Sequence, residues 1–379
     1  MVSPDGAYGG PQSVAFNQAK SLHHKGYEVT LVATTRGYTV GHTQIDGVDC
    51  HLFHPFTIPG LGFAGLTSPA LLRWLSRHAR EYDAVHVHTA RDLVTLPALR
   101  LCQLLGLRTF AQTHGMIDHS SKVLSIPIDR YLTRPALMSS DAVFALTTDE
   151  AHDLSTQFPS LAPELLPNGV AVSPLTARLN TNCPEVLFLA RLHTRKRPDV
   201  FVDAAVRLLD QGLDARFTII GPDEGMGDRI DAAIRESRHS DKIRREPPIE
   251  PAMVSKRMSR AQIYVLPSLN EPFGMTILEA LSVGTPVVVT ESCGLADFIS
   301  SHTAGLIARD TADSIASAIE RLLSDPDLRS KLGQEGHRAV AEHMSMNAVT
   351  GTLERQYFDS PIGGIGKTCL GNRRRGPGD

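Results

Sequence analysis

Ile263-Tyr264-Val265-Leu266-Pro267-Ser268-Leu269-Asn270-Glu271-Pro272-Phe273-Gly274-Met275-Thr276-Ile277-Leu278-Glu279-Ala280-Leu281 reads as one strand, loop and helix in succession. Residues 263–267 form a short apolar run ended by proline, the pattern of a buried strand, and a helical pattern begins near Phe273. The same unit recurs on both sides. Apolar, β-branched runs at 186–190, 216–220, 286–290 and 305–308 alternate with amphipathic stretches of helical length. Such alternation is the mark of a parallel sheet covered by helices on both faces. The first half repeats it, with runs at 27–34, 48–53, 84–88, 109–113 and 142–146. Helical patterns there include 14–25, closed by Gly26 in a C-cap role, and 69–81.

A turn-rich segment interrupts the alternation. It runs from Leu166-Pro167-Asn168-Gly169-Val170 to Pro184 and reads as a hinge over 168–184. The expected fold class is therefore α/β, with two Rossmann-like doubly wound domains, 1–170 and 171–343, facing each other across a cleft. A helix over 344–358 follows the second domain. It carries Val349, Leu353, Tyr357 and Phe358 on one face, which needs a place to be buried. Residues 359–379, rich in glycine and arginine, form no core and are expected to be a disordered basic tail.

Composition bounds the partners. A chain of 379 residues exceeds one ordinary core, and a net charge of −3 implies no nucleic-acid partner. The five cysteines lie far apart with no C-x-x-C pair, which argues against a disulfide framework or zinc site and fits a reducing, cytoplasmic setting. No apolar run reaches the roughly 18 residues of a membrane span. The N-terminus lacks a signal-peptide pattern, and peripheral membrane contact stays open.

Two glycine motifs are set aside. Gly363-Gly364-Ile365-Gly366-Lys367-Thr368 fails as a P-loop, because Pro361 stands at the first glycine and no strand leads in. Gly60-Leu61-Gly62-Phe63-Ala64-Gly65 spells a dinucleotide fingerprint, but Pro55 and Pro59 separate it from a strand, so a flexible loop is the better reading.

The chemistry concentrates where the quoted segment turns into a helix. Gly274 at the helix start lets a phosphate approach free backbone N–H groups, with Phe273 and Met275 beside it. Glu279, one to two turns inside, is placed to accept two hydrogen bonds from a ribose diol. Glu271, in the loop, is placed to accept from sugar hydroxyls. Arg191 ends a strand and Lys196 begins the next helix, at the sheet edge where such folds bind ligands. A fork and a point charge together suit a departing diphosphate. Arg195 and Arg197 extend the basic run and are read as solvated. His114 ends an apolar strand before Gly115 and is a candidate polar group; His86 and His88 alternate on one strand, with His86 read as packing against a helix.

These segments resemble the family-4 glycosyltransferases, whose fold is GT-B, over residues 5–358. Ser268 to Leu281 resembles the family's E-x7-E region. Tyr8-Gly9-Gly10-Pro11 resembles its glycine-rich loop beneath the donor phosphates, and Ala84-Val85-His86-Val87-His88 its D-V-V-H-x-H strand. Thr113-His114-Gly115 resembles its H-G strand end, and Leu166-Pro167-Asn168-Gly169-Val170 its P-N-G-V junction. Leu189-Ala190-Arg191-Leu192 with Lys196 resembles its G-R-L-x-x-x-K-G clamp, Ala190 standing for the usual glycine. The terminal helix resembles one that crosses back to the first domain.

The resemblance implies a retaining, metal-independent transferase. It would move a hexose-type sugar from a UDP-, GDP- or ADP-sugar to a sugar, lipid-linked or small-molecule acceptor, in cell-envelope, exopolysaccharide or glycolipid biosynthesis. His114, Glu271, Arg191 and Lys196 would be catalytic; Gly9, Gly10, Phe273, Gly274, Met275 and Glu279 would bind the donor. No cofactor and no metal are expected: the acidic triplet Asp325-Pro326-Asp327 reads as a helix N-cap with proline at N1. A nucleotide-sugar 2-epimerase of the same fold and a non-catalytic relic remain alternatives. Only eight residues precede Gly9, too few for a full first strand in mid-sheet, which leads to the expectation that the natural protein starts upstream.

Overall fold

Strands buried on both faces need apolar side chains in both directions, and the second half of the chain supplies them. In β13 (Ile263–Leu266) and β14 (Val287–Thr290) every residue is buried. With β10 (Glu185–Leu189), β11 (Arg216–Ile220), β12 (Ile243–Glu246) and β15 (Gly305–Ala308) they form one wholly parallel sheet in the order β12-β11-β10-β13-β14-β15. Counted within this sheet the order is 3-2-1-4-5-6, that of a doubly wound nucleotide-binding domain. The chain winds outward from β10 in one direction, then returns to start again at β13 beside it.

The protein is described by a computed structural model over residues 1–4, 10–117, 125–175 and 183–359. It divides into two compact units. Unit 1 comprises Met1–Gly169 and the chain from Met346 onward; unit 2 is Val170–Ser345. The tail after 359 and the glycine motif at 363–368 lie outside the described residues.

Unit 1 is built on β1 (Thr30–Thr34), β2 (Gly41–Ile45), β3 (Val48–Phe53), β4 (Phe56–Thr57), β5 (Leu66–Thr67), β6 (Ala84–His88), β7 (Arg108–Gln112), β8 (Ala142–Ala145) and β9 (Glu164–Leu165). The parallel sheet β6-β7-β8-β9 stands apart from the sheet β1-β3-β2, in which β2 runs antiparallel. The main-chain N–H of Val2 donates to Thr34 O at 2.8 Å and Arg36 N donates to Val2 O at 3.1 Å, so Val2 lies alongside the end of β1 in a parallel bridge.

Several elements differ from the sequence reading. β2 and β12 were not expected, because Gly41-His42-Thr43-Gln44-Ile45 and Ile243-Arg244-Arg245-Glu246 lack an apolar run; both are edge strands, where polar side chains are tolerated. β2 is joined to β3 by Asp46-Gly47 with φ of 52° and 83°, a hairpin turn geometry. Gly62–Gly65 is not a loose loop but a 3₁₀ turn connecting the antiparallel β4 and β5. The final helix starts at Met346, since Ser345 is extended (ψ 153°). Asp325 caps the helix Pro326–Ala339 by accepting from Leu328 N at 2.9 Å, with Pro326 in the first turn. Among the described residues no helix is long and apolar enough to cross a membrane.

The closing helix Met346–Glu354 belongs to unit 1 and buries the face read from its sequence. Val349, Leu353 and Tyr357 join Leu22, Phe110, Phe144 and Leu166 in one apolar cluster. Phe358 is half exposed and stacks on Tyr27, ring centroids 5.2 Å apart. Leu353 is fully buried. Leu353→Ala is therefore expected to destabilise unit 1 by about 2–5 kcal/mol, read as a lower midpoint in urea unfolding.

Candidate functional site

In an open parallel sheet, ligands gather at the carboxyl ends of the strands where winding direction reverses. Here that point lies between β10 and β13, and the loops leaving these two strands carry Arg191, Lys196 and Glu271. Both loops are fastened together. Leu269 N donates to Arg195 O at 2.9 Å, and Tyr264, wholly buried in β13, donates its hydroxyl to Leu189 O at 3.1 Å. The Thr276 hydroxyl lies 2.6 Å from Tyr264 Oη, tying in the helix Met275–Leu281.

Lys196 Nζ donates to Glu271 Oε2 in a short ion pair, with side chains only 11% and 7% exposed. Glu271 also stands in a parallel bridge with Cys293, and Gly294 N donates to its carbonyl at 2.8 Å. Two residues expected to serve different parts of a ligand are thus each other's partner. Arg191, more than half exposed, pairs instead with Glu224 at 2.9 and 3.2 Å. Glu224 sits in the loop after β11 beside Asp223, whose carboxylate accepts from Gly225, Met226 and Gly227 N–H groups; these bonds hold its pKa below the usual value. That loop begins at Gly221, where a Cβ would lie 1.8 Å from Ala190 O, so no side chain fits against β10's end.

Gly274 has φ 79° and caps the helix Met275–Leu281, with Phe273 buried before it. A Cβ on Gly274 would meet Ile277 at 2.7 Å and Glu271 at 3.3 Å. Glu279 lies on the same short helix, partly buried, and desolvation pushes its pKa up to about 7. A carboxylate kept short of solvation is a feature of ligand sites. Arg197 corrects an expectation. It is not solvated: its backbone is left-handed (φ 53°) and its Nη2 donates to Asp310 O at 2.9 Å, with 18% of the side chain exposed. Asn270 (φ 47°), like Arg197, holds a left-handed backbone without being glycine, a conformation retained where surroundings enforce it.

The remaining candidates lie in unit 1. Gly10 opens the helix Gly10–His24, and Gly9 falls outside the described residues. His114 follows β7 with φ 54° and is 9% exposed. Its Nε2 is 2.7 Å from Nδ1 of His88, and the rings stack at 4.9 Å. His86 stacks on His88 at 4.8 Å, and its Nδ1 is 2.5 Å from the Tyr357 hydroxyl of the closing segment. Burial, then neighbouring imidazoles, lower the pKa of His86 and His114 well below the ordinary value. Burial takes His88 down to about 4.

His88 and Glu150 were missed as supports of His114. His88 is legible only once β6 and β7 are paired. Glu150 had a local signal, since Thr147-Thr148-Asp149-Glu150 is a capping box. Its carboxylate accepts from Gly115 N, from the Thr113 hydroxyl at 2.5 Å and from Leu146 N at 2.7 Å, fixing the turn that carries His114.

Residues 8–173 match the family described as Glycosyltransferase Family 4, and residues 176–339 match Glycosyl transferases group 1. A D-inositol 3-phosphate glycosyltransferase of Pseudarthrobacter chlorophenolicus is 27% identical over 303 residues, covering 73% of this chain and 70% of that protein. A glycosyltransferase structure from Rickettsia africae superposes with a TM-score of 0.75 at 17% identity, covering 94% and 96% of the two chains. Anabaena HepE in complex with UDP and glucose gives 0.69 at 14% identity, covering 92% and 96%.

The imidazole ladder yields a pH prediction. Unfolded, His88 takes up a proton near its ordinary pKa of about 6.5; folded, only near 4. Stability is complete above that window and falls through it as pH drops, by up to about 1.4 kcal/mol per pH unit. Urea unfolding at pH 7 and pH 5 should show this loss, and His88→Gln should reduce it.

Proposed function

This chain belongs to the family-4 glycosyltransferases of GT-B fold, and from that premise we propose that it transfers a hexose-type sugar from a nucleoside-diphosphate donor to an acceptor hydroxyl with retention of anomeric configuration. The observation that carries this reading is the meeting of Lys196 and Glu271 at the switch point of the six-stranded sheet, with Arg191 and Gly274 on the same strand ends. UDP and glucose in HepE and the inositol phosphate named for the relative suggest the classes of molecule to try first. GDP- and ADP-sugars stand beside UDP-sugars as donors. The biosynthetic setting we favour is the cell envelope or an extracellular polysaccharide or glycolipid.

In this reading unit 2 holds the donor. The diphosphate lies against Lys196, Arg191 and the N–H groups at Gly274 and Met275, and takes over from Glu271 as a partner of Lys196. An ammonium has three donors, so it can hold a phosphate oxygen without wholly releasing the carboxylate. Glu271 is then free to accept from sugar hydroxyls, and Glu279 accepts from the ribose diol. The bond from the anomeric carbon to the β-phosphate oxygen breaks, with oxocarbenium character at the carbon. The acceptor oxygen attacks from the same face and passes its proton to the departing phosphate. Lys196 and Arg191 stabilise the charge that develops there, so no divalent metal is required. Unit 1 positions the acceptor, with His114 as its polar group: Nε2 is engaged by His88, and Nδ1 is the ring nitrogen available to substrate.

Incubation with a panel of UDP-, GDP- and ADP-sugars plus sugar acceptors tests the proposal. Release of free nucleoside diphosphate in step with glycosylated acceptor supports it; isomerised donor with the nucleotide still attached would mark an epimerase instead. With the working donor, Arg191→Ala and Lys196→Ala should each lower kcat by about 10²–10³. Near-normal turnover in either would place the diphosphate elsewhere.

The two glutamates should separate by readout. Glu279→Ala is expected to weaken free nucleotide, measured by calorimetry, whereas Glu271→Ala should reduce turnover and leave nucleotide affinity nearly unchanged. Glu279 must be ionised to accept both ribose protons, and its pKa is near 7. Nucleotide affinity should therefore fall as pH drops below 7, and Glu279→Gln should flatten that dependence.

A further inference from the structure

Away from the donor residues, the hairpin β2–β3 gathers a second set of chemical groups. His42 lies directly opposite His51 in the antiparallel register, and Asp49 stands two residues before His51 on the same face. The ligand-capable atoms of His42, Asp49 and His51 all lie within 4.8 Å of one another. His42 Nε2 is 2.5 Å from Asp49 Oδ1, and His51 Nε2 is 4.0 Å from Asp49 Oδ2. We propose that this triad is a binding site for one divalent transition-metal ion of the zinc class, which clips the edge strand β2 to β3.

The chemistry selects the ion. Two imidazoles and one carboxylate suit zinc and its neighbours, not magnesium or calcium, which prefer oxygen throughout. An ion bound at roughly 2.0–2.2 Å to each donor in tetrahedral array needs them about 3.4 Å apart. The present separations straddle that figure. The adjustment falls on His42, whose side chain is 61% exposed and free to swing outward from Asp49. A water completes the fourth position.

The surroundings are built to hold the other two donors still. The His51 ring packs against Trp74 of the helix Pro69–His78, centroids 4.6 Å apart and tilted by 34°, and Trp74 packs in turn against His78 at 4.9 Å. Asp49 Oδ2 receives the Thr30 hydroxyl of β1 at 3.5 Å. Among the described residues β2 pairs only with β3, so a cross-strand ion adds a second hold on an edge that otherwise depends on its ladder alone.

Trp74 is the sole tryptophan of the chain and touches a proposed ligand, so its fluorescence reports the site directly. The full chain, stripped with EDTA and exchanged into chelator-free buffer, is titrated with zinc chloride. The expected result is a Trp74 fluorescence change that saturates at one equivalent, together with a rise in Tm, and no response to magnesium. His42→Gln and Asp49→Asn should weaken the response by about tenfold or more with an unchanged far-UV circular dichroism spectrum. His42 is an exposed position, which keeps that variant safe for folding. Sugar transfer should proceed at the same initial rate with and without zinc. A fluorescence and Tm response of undiminished strength in His42→Gln, or no one-equivalent response in the unaltered chain, overturns the proposal. Transfer that requires zinc equally in His42→Gln also overturns it, since the ion would then sit elsewhere.

Discussion

The reversal of winding between β10 and β13 is the constraint on which the rest of unit 2 depends. Strands on either side of it are neighbours in the sheet, yet the chain leaves them toward opposite flanks. The loops leaving them diverge at the strand ends, the place where open parallel sheets bind ligands. Arg191, Lys196, Glu271 and Gly274 all stand on these two exits. Tyr264 and the Leu269–Arg195 bond keep the two exits in register, and Gly221 lets β11's loop close against β10. Left-handed Arg197 and Asn270 are the backbone cost of turning both loops sharply inward.

The two units bury polar groups in different ways. Unit 2 keeps its charges by pairing them: Lys196 with Glu271, and Arg257 with Glu185 at 2.7 Å. A buried pair offsets desolvation only with good geometry, and it leaves a costly charge if either member is removed. Glu279, partly buried, has no such partner among the described residues, and desolvation raises its pKa to about 7. Unit 1 avoids charge altogether in its ladder of His86, His88 and His114, where burial keeps the imidazoles neutral and each neutral ring offers one donor and one acceptor. The structural support of that ladder reaches far along the chain, from the capping box at Thr147 to Tyr357 of the closing segment.

Both units also show how an edge is managed. β12 carries Arg244, Arg245 and Glu246, and Arg245 is bonded to Asp231 at 2.5 Å. β2 carries His42 and Gln44, facing His51 and Asp49. Charged and polar side chains on such strands discourage pairing with another chain, and the same property hides them from a search for apolar runs.

What the sequence determined by itself was whatever is encoded locally. Strands such as Val287–Thr290, apolar on both faces, and helices with capped ends could be placed because period and composition act over a few residues. The apolar face of Val349, Leu353 and Tyr357 was equally plain, since one helix and the helical turn that continues it present it. Glu271 and Glu279 stood out for the same reason, each defined by its distance from a helix start. Tertiary structure alone decided who meets whom. Lys196 is 75 residues from Glu271, His88 is 26 from His114, and His86 is 271 from Tyr357. Those contacts are set by which strands lie side by side and by the winding between them. No short-range pattern specifies that order, because it follows from burying all the apolar strands and helices at once.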